Sequence, residues 1–253
     1  MKKRFAFLFA VLLALEILLC ACGKGGADNP ATTLPTTSGA LNNISLCVVR
    51  LSGSTMLASA EDGGLYNVSL SNVEILSAAG KKTSQQALTA GTTVSIAYSG
   101  GIAESYPAQI TSPVTIAVTG SRPDRVSLYE KAVKHIYEND PGLNGSVIVL
   151  DLDGAASLNA GDREALCRVL FNHYFSIDST EVILGNYDSL SKENEIVNNV
   201  FEKGVIISIK DSGTDEFSIS KWRSGTGAAG FKNCTAKYAN GEWSIDYGEM
   251  HIS

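Results

Sequence analysis

A period of two limits most strongly what this chain can fold into. From Ile44 to Val118 apolar side chains keep returning at alternate positions. Leu46, Val48 and then Arg50 alternate with Cys47, Val49 and Leu51, and the rhythm recurs in Tyr66/Val68/Leu70, Val94/Ile96/Tyr98 and Val114/Ile116/Val118. Neighbouring side chains on a strand point to opposite faces, so each run separates an apolar face from one of Asn, Ser, Thr or Ala. Gly63-Gly64, Gly80, Gly91 and Gly100-Gly101 interrupt the runs where the chain must turn, and no helix-period segment lies between them. This predicts a small all-β domain over residues 44–120, a sandwich or barrel. A five-stranded Greek-key barrel of the OB type suits that length.

Arg122-Pro123-Asp124 ends the pattern, and a second domain is expected over residues 124–253. Ser127-Leu128-Tyr129-Glu130 fits a capping box, with Ser127 at N-cap and Glu130 at N3. Leu128, Ala132, Val133, Ile136 and Tyr137 then form one apolar helical face that Pro141-Gly142 stops. Val147 to Leu152 reads as a buried strand. A second helix is predicted from Gly161 to Phe175, with Ala165, Leu166, Val169, Leu170, His173 and Tyr174 on one side, and a short third helix around Tyr187 to Glu195. Four strands close the chain: Gly204 to Lys210, Phe217 to Trp222, Phe231 to Tyr238 and Glu242 to Tyr247. Asp211-Ser212-Gly213, a flexible Gly225-to-Gly230 hairpin and Asn240-Gly241 join them. Helices followed by an antiparallel meander make an α+β plan, with an NTF2/cystatin-like layout as the expectation.

The stretch Glu104-Ser105-Tyr106-Pro107-Ala108-Gln109, following Gly91-Thr92-Thr93-Val94-Ser95-Ile96-Ala97-Tyr98, carries a family resemblance. It resembles the YobA-like domain of Gram-positive lipoproteins, a small β-domain with no established activity, over about Ile44 to Val118. Lys221 to Gly225, Asn233 to Tyr238 and Gly241 to Trp243 resemble a C-terminal α+β domain of Gram-positive surface proteins, again with no activity attached. Glu104 and Gln109 have two readings: hydrogen bonds that close the barrel, or a ligand-contacting loop that includes Tyr106.

Location is more legible than activity. Met1-Lys2-Lys3-Arg4 is a basic start, Phe5 to Leu19 is apolar apart from Glu16, and Ala21 precedes Cys22. A small residue before the cysteine is what lipoprotein signal peptidase requires, so residues 1–21 read as a signal peptide and Cys22 as the lipidated residue. Bulky Leu19 disfavours Cys20. An ordinary secretory peptide with a chance cysteine is the alternative. Residues 22–43, rich in Gly, Pro, Thr, Ser and Asn, read as a flexible tether. The expected product is anchored through diacylglyceryl-Cys22 on the extracytoplasmic face, since two acyl chains hold a membrane far better than one.

Charge and motifs exclude more than they assign. The chain carries −6, and loss of three basic residues and one acid with the leader leaves −8. Nucleic acid is therefore a poor partner, because binding it requires cationic neutralisation of phosphates. Cys47, Cys167 and Cys234 are too scattered for a metal cluster or disulfide framework; a Cys167–Cys234 bond and two buried thiols both remain open. Val149-Leu150-Asp151-Leu152-Asp153-Gly154 imitates the nucleophile motif of haloacid-dehalogenase phosphotransferases, but Ala155 replaces the usual Thr and no later acidic motif follows. As a calcium loop it fails at Ala155 and Ala156. Gly225-Thr226-Gly227-Ala228-Ala229-Gly230 does not open a helix, as dinucleotide binding requires. His135, His173 and His251 have no metal or triad spacing. No catalytic residue, metal or cofactor is therefore assigned.

The resulting expectation is a non-enzymatic surface protein that binds an envelope protein or small ligand. The alternative is an envelope hydrolase with an unrecognised site in the C-terminal domain. Beside the Glu104–Gln109 loop, a second contact is expected at Lys221 and Arg223. Alternation places both on the face opposite Trp222, next to a glycine-rich turn. The competing assignment has Trp222 in the core and the cations paired with acids such as Glu216 or Asp246.

Overall fold

The computed structural model describes residues 40–253; the leader, Cys22 and most of the tether lie outside the described residues. The fold is mixed, with more strand than helix. Its first half contains β1 (Asn42–Ser52), β2 (Thr55–Ser59), β3 (Leu65–Ser69), β4 (Glu74–Leu76), β5 (Lys82–Thr83), β6 (Thr92–Tyr98), β7 (Ile102–Ala103), β8 (Ala108–Ile110) and β9 (Pro113–Ser121). They form one sheet in the order β5-β4-β9-β6-β1-β2-β3-β8-β7. Only Thr111 and Ser112 separate β8 from β9. The segment from Ala108 to Ser121 thus pairs in parallel with β3 at one end and antiparallel with β6 at the other, which bends the sheet round on itself. Leu46, Val48, Met56, Val68, Val94, Ile96, Ile110 and Ile116 fill its inside.

The pattern Leu46-Cys47-Val48-Val49, buried at all four positions, has a specific cause. The β1–β2 register slips between Val48 and Arg50. A bulge of this kind re-aims side chains. Val48 stays in the first core, while Val49 joins Leu65 in a second one beneath the helices. The outer face of β1–β3 is thus itself partly covered. The described residues, 40–253, belong to one compact unit.

The second half contains α1 (Arg125–Glu138), β10 (Val147–Asp151), α2 (Ala160–Asp178), β11 (Glu181–Leu184), α3 (Tyr187–Lys192), β12 (Gly204–Asp211), β13 (Glu216–Ser224), β14 (Gly227–Ala239), β15 (Glu242–Asp246) and β16 (Glu249–Ile252). Strand order is β11-β10-β12-β13-β14-β15, with β16 also on β14. The antiparallel meander exists from β12 onward. The sheet is nevertheless mixed, because β10 runs parallel to both β11 and β12 and α2 forms the crossover. Ile148 and Leu150, Val205, Ile207 and Ile209, and Phe217 and Ile219 face α1 and α2. Val149 and Ile206 face the other way, toward Leu190 of α3 and Phe201.

Three expectations need local correction. Asp124, not Ser127, caps α1: its carboxylate accepts from Ser127 N at 3.1 Å, so the helix starts at Arg125. Glu130 is thereby freed to bridge Arg50 and Lys134. The Gly225-to-Gly230 segment is largely strand, since β14 begins at Gly227. Gly230 is required there by crowding, because a Cβ would stand 2.8 Å from the His251 ring and 3.0 Å from the Ile219 carbonyl oxygen. Finally, β1 begins at Asn42, inside the segment expected to be tether.

Candidate functional site

The face of β1–β3 not fully covered by α2 opens into a cleft of about 270 Å³. Arg50 and Ser52, Thr55 and Leu57, Asn67 and Pro107 line it from the sheet, and Arg168, Val169 and Asn172 from the helix. Strand register explains the sheet side. Arg50 pairs with Leu57, Leu57 with Asn67, and Asn67 with Gln109, so these four residues form one lateral row. Helical spacing explains the other wall, because positions 168, 169 and 172 share one side of α2. Val169 is buried under the sheet, while Asn172 remains exposed.

Charge in the cleft runs against that of the chain. Its lining holds two guanidinium groups and no carboxylate or histidine. Arg50 donates to Glu130 at 2.5 Å, and Glu130 is shared with Lys134 at 2.8 Å. Arg168 lies over the rings of Tyr106, at 5.6 Å, and Phe171, at 5.5 Å. Stacking of this sort suits a planar, weakly hydrated cation. Partial burial, then the nearby Glu164, raise the Tyr106 hydroxyl above its usual pKa.

The structure divides the residues expected from sequence. Tyr106 stands beside Arg168 with 59 % of its surface exposed, and Gln109 extends the Asn67 row. Glu104 lies on the exposed part of the same loop. Lys221 requires correction: it is fully buried and has no surface to offer a partner. Its ammonium donates to the carbonyls of Tyr137 (3.3 Å), Asn139 and Asp140 (3.0 Å) and to Asn144 Oδ1 (3.0 Å). The last carbonyls of a helix have no intrahelical donor, and Lys221 supplies one at the end of α1. Burial, opposed by Asp140, pushes its pKa down to about 8, which leaves it charged at neutral pH.

Arg223 is also turned inward. It donates to the carbonyls of Leu143, Asn144 and Glu202. Alternation therefore separated Trp222 from the two cations correctly, but the cation face is the helix face. Trp222 instead meets Tyr187 edge-on at 5.1 Å on the opposite side. Glu216 and Asp246 are not the partners of Lys221; carbonyl oxygens are.

Other singled-out groups are occupied in the framework. Asp151 accepts from Ser208 Oγ at 3.0 Å, and Asp153 accepts from Asn186 at 2.7 Å. His135 stacks on Tyr247 at 3.7 Å. Cys47, Cys167 and Cys234 are free thiols; Cys47 and Cys234 are buried and Cys167 is half-buried. Burial raises the pKa of each, that of Cys167 to about 11, which disfavours the reactive thiolate. Among the described residues, no cluster of three His, Cys, Asp or Glu is placed to hold a metal ion, and no helix is long and apolar enough to span a membrane.

Sequence reasoning missed Arg50, Asn67, Arg168 and Asn172. Their signal was faint: two arginines in an acidic chain, one ending an apolar alternation and one interrupting a helix face. Comparison of the chain with models of protein families, with curated proteins and with solved structures finds no match.

Proposed function

We propose that this chain is a lipid-anchored, extracytoplasmic surface protein that binds an envelope ligand or partner without catalysis, and that the cleft between β1–β3 and α2 is where it binds. The carrying observation is the lining itself, which offers guanidinium, amide and hydroxyl groups for recognition but no carboxylate or histidine for acid–base work. The envelope-hydrolase alternative would need such groups converging on this cleft. The order β1-β2-β3-β8/β9-β6, returning to β1, supports reading the first sheet as a five-stranded OB-type barrel of the YobA-like kind. The meander β12–β15 with α1 against it supports the NTF2/cystatin-like reading, to which the parallel β10–β11 pair is an addition.

Two experiments test this reading. Cys22→Ala should move the protein from the membrane fraction to the medium and abolish incorporation of labelled fatty acid, whereas Cys20→Ala should do neither. Full membrane retention of the Cys22→Ala protein would refute the anchor. Asn67→Trp should fill the cleft and reduce retention on isolated cell-envelope material at least tenfold, with the melting temperature changed by only a few degrees. Unchanged retention would remove the cleft from consideration.

A further inference from the structure

The electrostatics of the cleft narrow its ligand. The protein is acidic overall, so an anion approaching most of its surface is repelled. Here two arginines line a cavity that contains no acid. The acid nearest to Arg50, Glu130, divides its charge between Arg50 and Lys134. Arg168 has a buried Nε with no hydrogen-bond partner among the described residues. A buried donor left unpaired costs about 1–3 kcal/mol, and more when charged. That atom is closed off by its burial, so an acceptor seated in the cleft meets the terminal nitrogens of Arg168 instead. The rings of Tyr106 and Phe171 cover the guanidinium face, so its in-plane donors are the groups left for recognition.

The rest of the lining specifies what carries the acceptor. Asn67 and Asn172 provide amides, and Ser52 and Thr55 provide hydroxyls; Leu57, Val169 and Pro107 form a small apolar surface. Amides that both donate and accept fit hydroxyl groups. The volume lies just below the usual range of roughly 300–1,000 Å³ for small-molecule pockets, so it holds one sugar-sized unit rather than a chain.

We propose that the cleft recognises an oxyanion, a carboxylate or phosphate ester, on a hydroxylated sugar-sized unit, with Arg168 and Arg50 taking the anion and Asn67 and Asn172 the hydroxyls. This rests on the cleft being the ligand site. Arginine forks match the geometry of both oxyanions, so the two sources share one recognition chemistry.

Titration of the full lipidated chain in neutral detergent with glucuronate, glucose 6-phosphate and glucose tests this. At least one charged probe should bind at least tenfold more tightly than glucose and weaken as salt rises. Preference between the two charged probes identifies the anion. Arg168→Gln should weaken that probe at least tenfold, and Arg168→Lys, which keeps the charge but not the fork, should fall between. Should Arg168→Gln fold poorly, Arg50→Gln serves instead, with the same direction expected. Equal binding of glucose, no saturable binding of either charged probe, or charged binding unchanged in a folded Arg168→Gln protein would each overturn the proposal. Envelope retention separates the two levels: loss in Asn67→Trp but not in Arg168→Gln leaves the cleft standing and removes the anion. Retention in both removes the two together.

Discussion

Lys221→Met is expected to be among the most damaging single substitutions in the described chain. Methionine keeps the apolar stem but removes the ammonium that serves three backbone carbonyls and the Asn144 side chain. Of these bonds only the one to Tyr137 is fully buried and the others are partly buried, so water can replace the lost donor at some acceptors but not at all. At about 1–3 kcal/mol for each buried group left unpaired, a net loss of about 3 kcal/mol is a modest expectation, because some acceptors will relax toward solvent. For a chain of this size each kcal/mol lowers the melting temperature by about 2–4 °C, so calorimetry should show a fall of about 6–12 °C. Lys221→Arg should not restore stability, since a larger planar group does not fit a pocket shaped for a compact ammonium. A fall of less than about 2 °C for Lys221→Met would mean that water serves the carbonyls equally well.

Arg122→Ala should cost a similar amount for a different reason. Arg122 follows β9, and its two terminal nitrogens reach both oxygens of Asp162, at 2.5 and 2.6 Å. Asp162 sits in the first turn of α2 with 2 % of its side chain exposed. Removing one partner of a buried pair leaves an uncompensated charge and typically costs about 3–5 kcal/mol. Next to this pair, Gly161 lies so close to the first sheet that a Cβ would stand 1.8 Å from the Ala60 carbonyl oxygen. The helix therefore has no room to move inward and close the gap left by the lost side chain. Denaturant melts should show the full loss in Arg122→Ala and a smaller one in Arg122→Ala with Asp162→Asn, where no charge is stranded. Equal losses in the two proteins would mean that packing, not charge, sets the cost.

The sequence showed which faces are apolar better than it showed what covers them. Period two identified the strand runs around Leu46, Val94 and Ile116, and the helical period identified Ala165, Leu166, Val169 and Leu170 on α2; all are buried. It did not show that Val49 faces a second core, because alternation alone carries no sign of the register slip after Val48, and the core that Val49 joins is built from the helices that follow the first sheet. The cap of α1 is ambiguous in sequence because Asp124 and Ser127 both suit the role, and the choice depends on where the chain leaves β9. Lys221 follows the same rule: a cation in an alternating pattern suggests solvent, and only the fold brings the end of α1 over β13. The cleft shares this property. Tyr106 and Gln109 were visible as an unusual loop, whereas Arg50 and Arg168 become neighbours of one cavity only once α2 lies across β1–β3.

The position of β1 has a mechanical consequence. Whatever precedes Asn42 joins the described chain through this strand, which pairs with β6 along its first half and with β2 along its second. A pull along β1 from its N-terminal end loads those hydrogen bonds in shear, many at once, instead of opening them one after another. Arg50 lies near the far end of the same strand, beyond both ladders' shared midpoint at Cys47. Tension from that end is therefore taken up by the neighbouring strands of the first sheet before it reaches Arg50, so the cleft can keep its shape while the chain is under load.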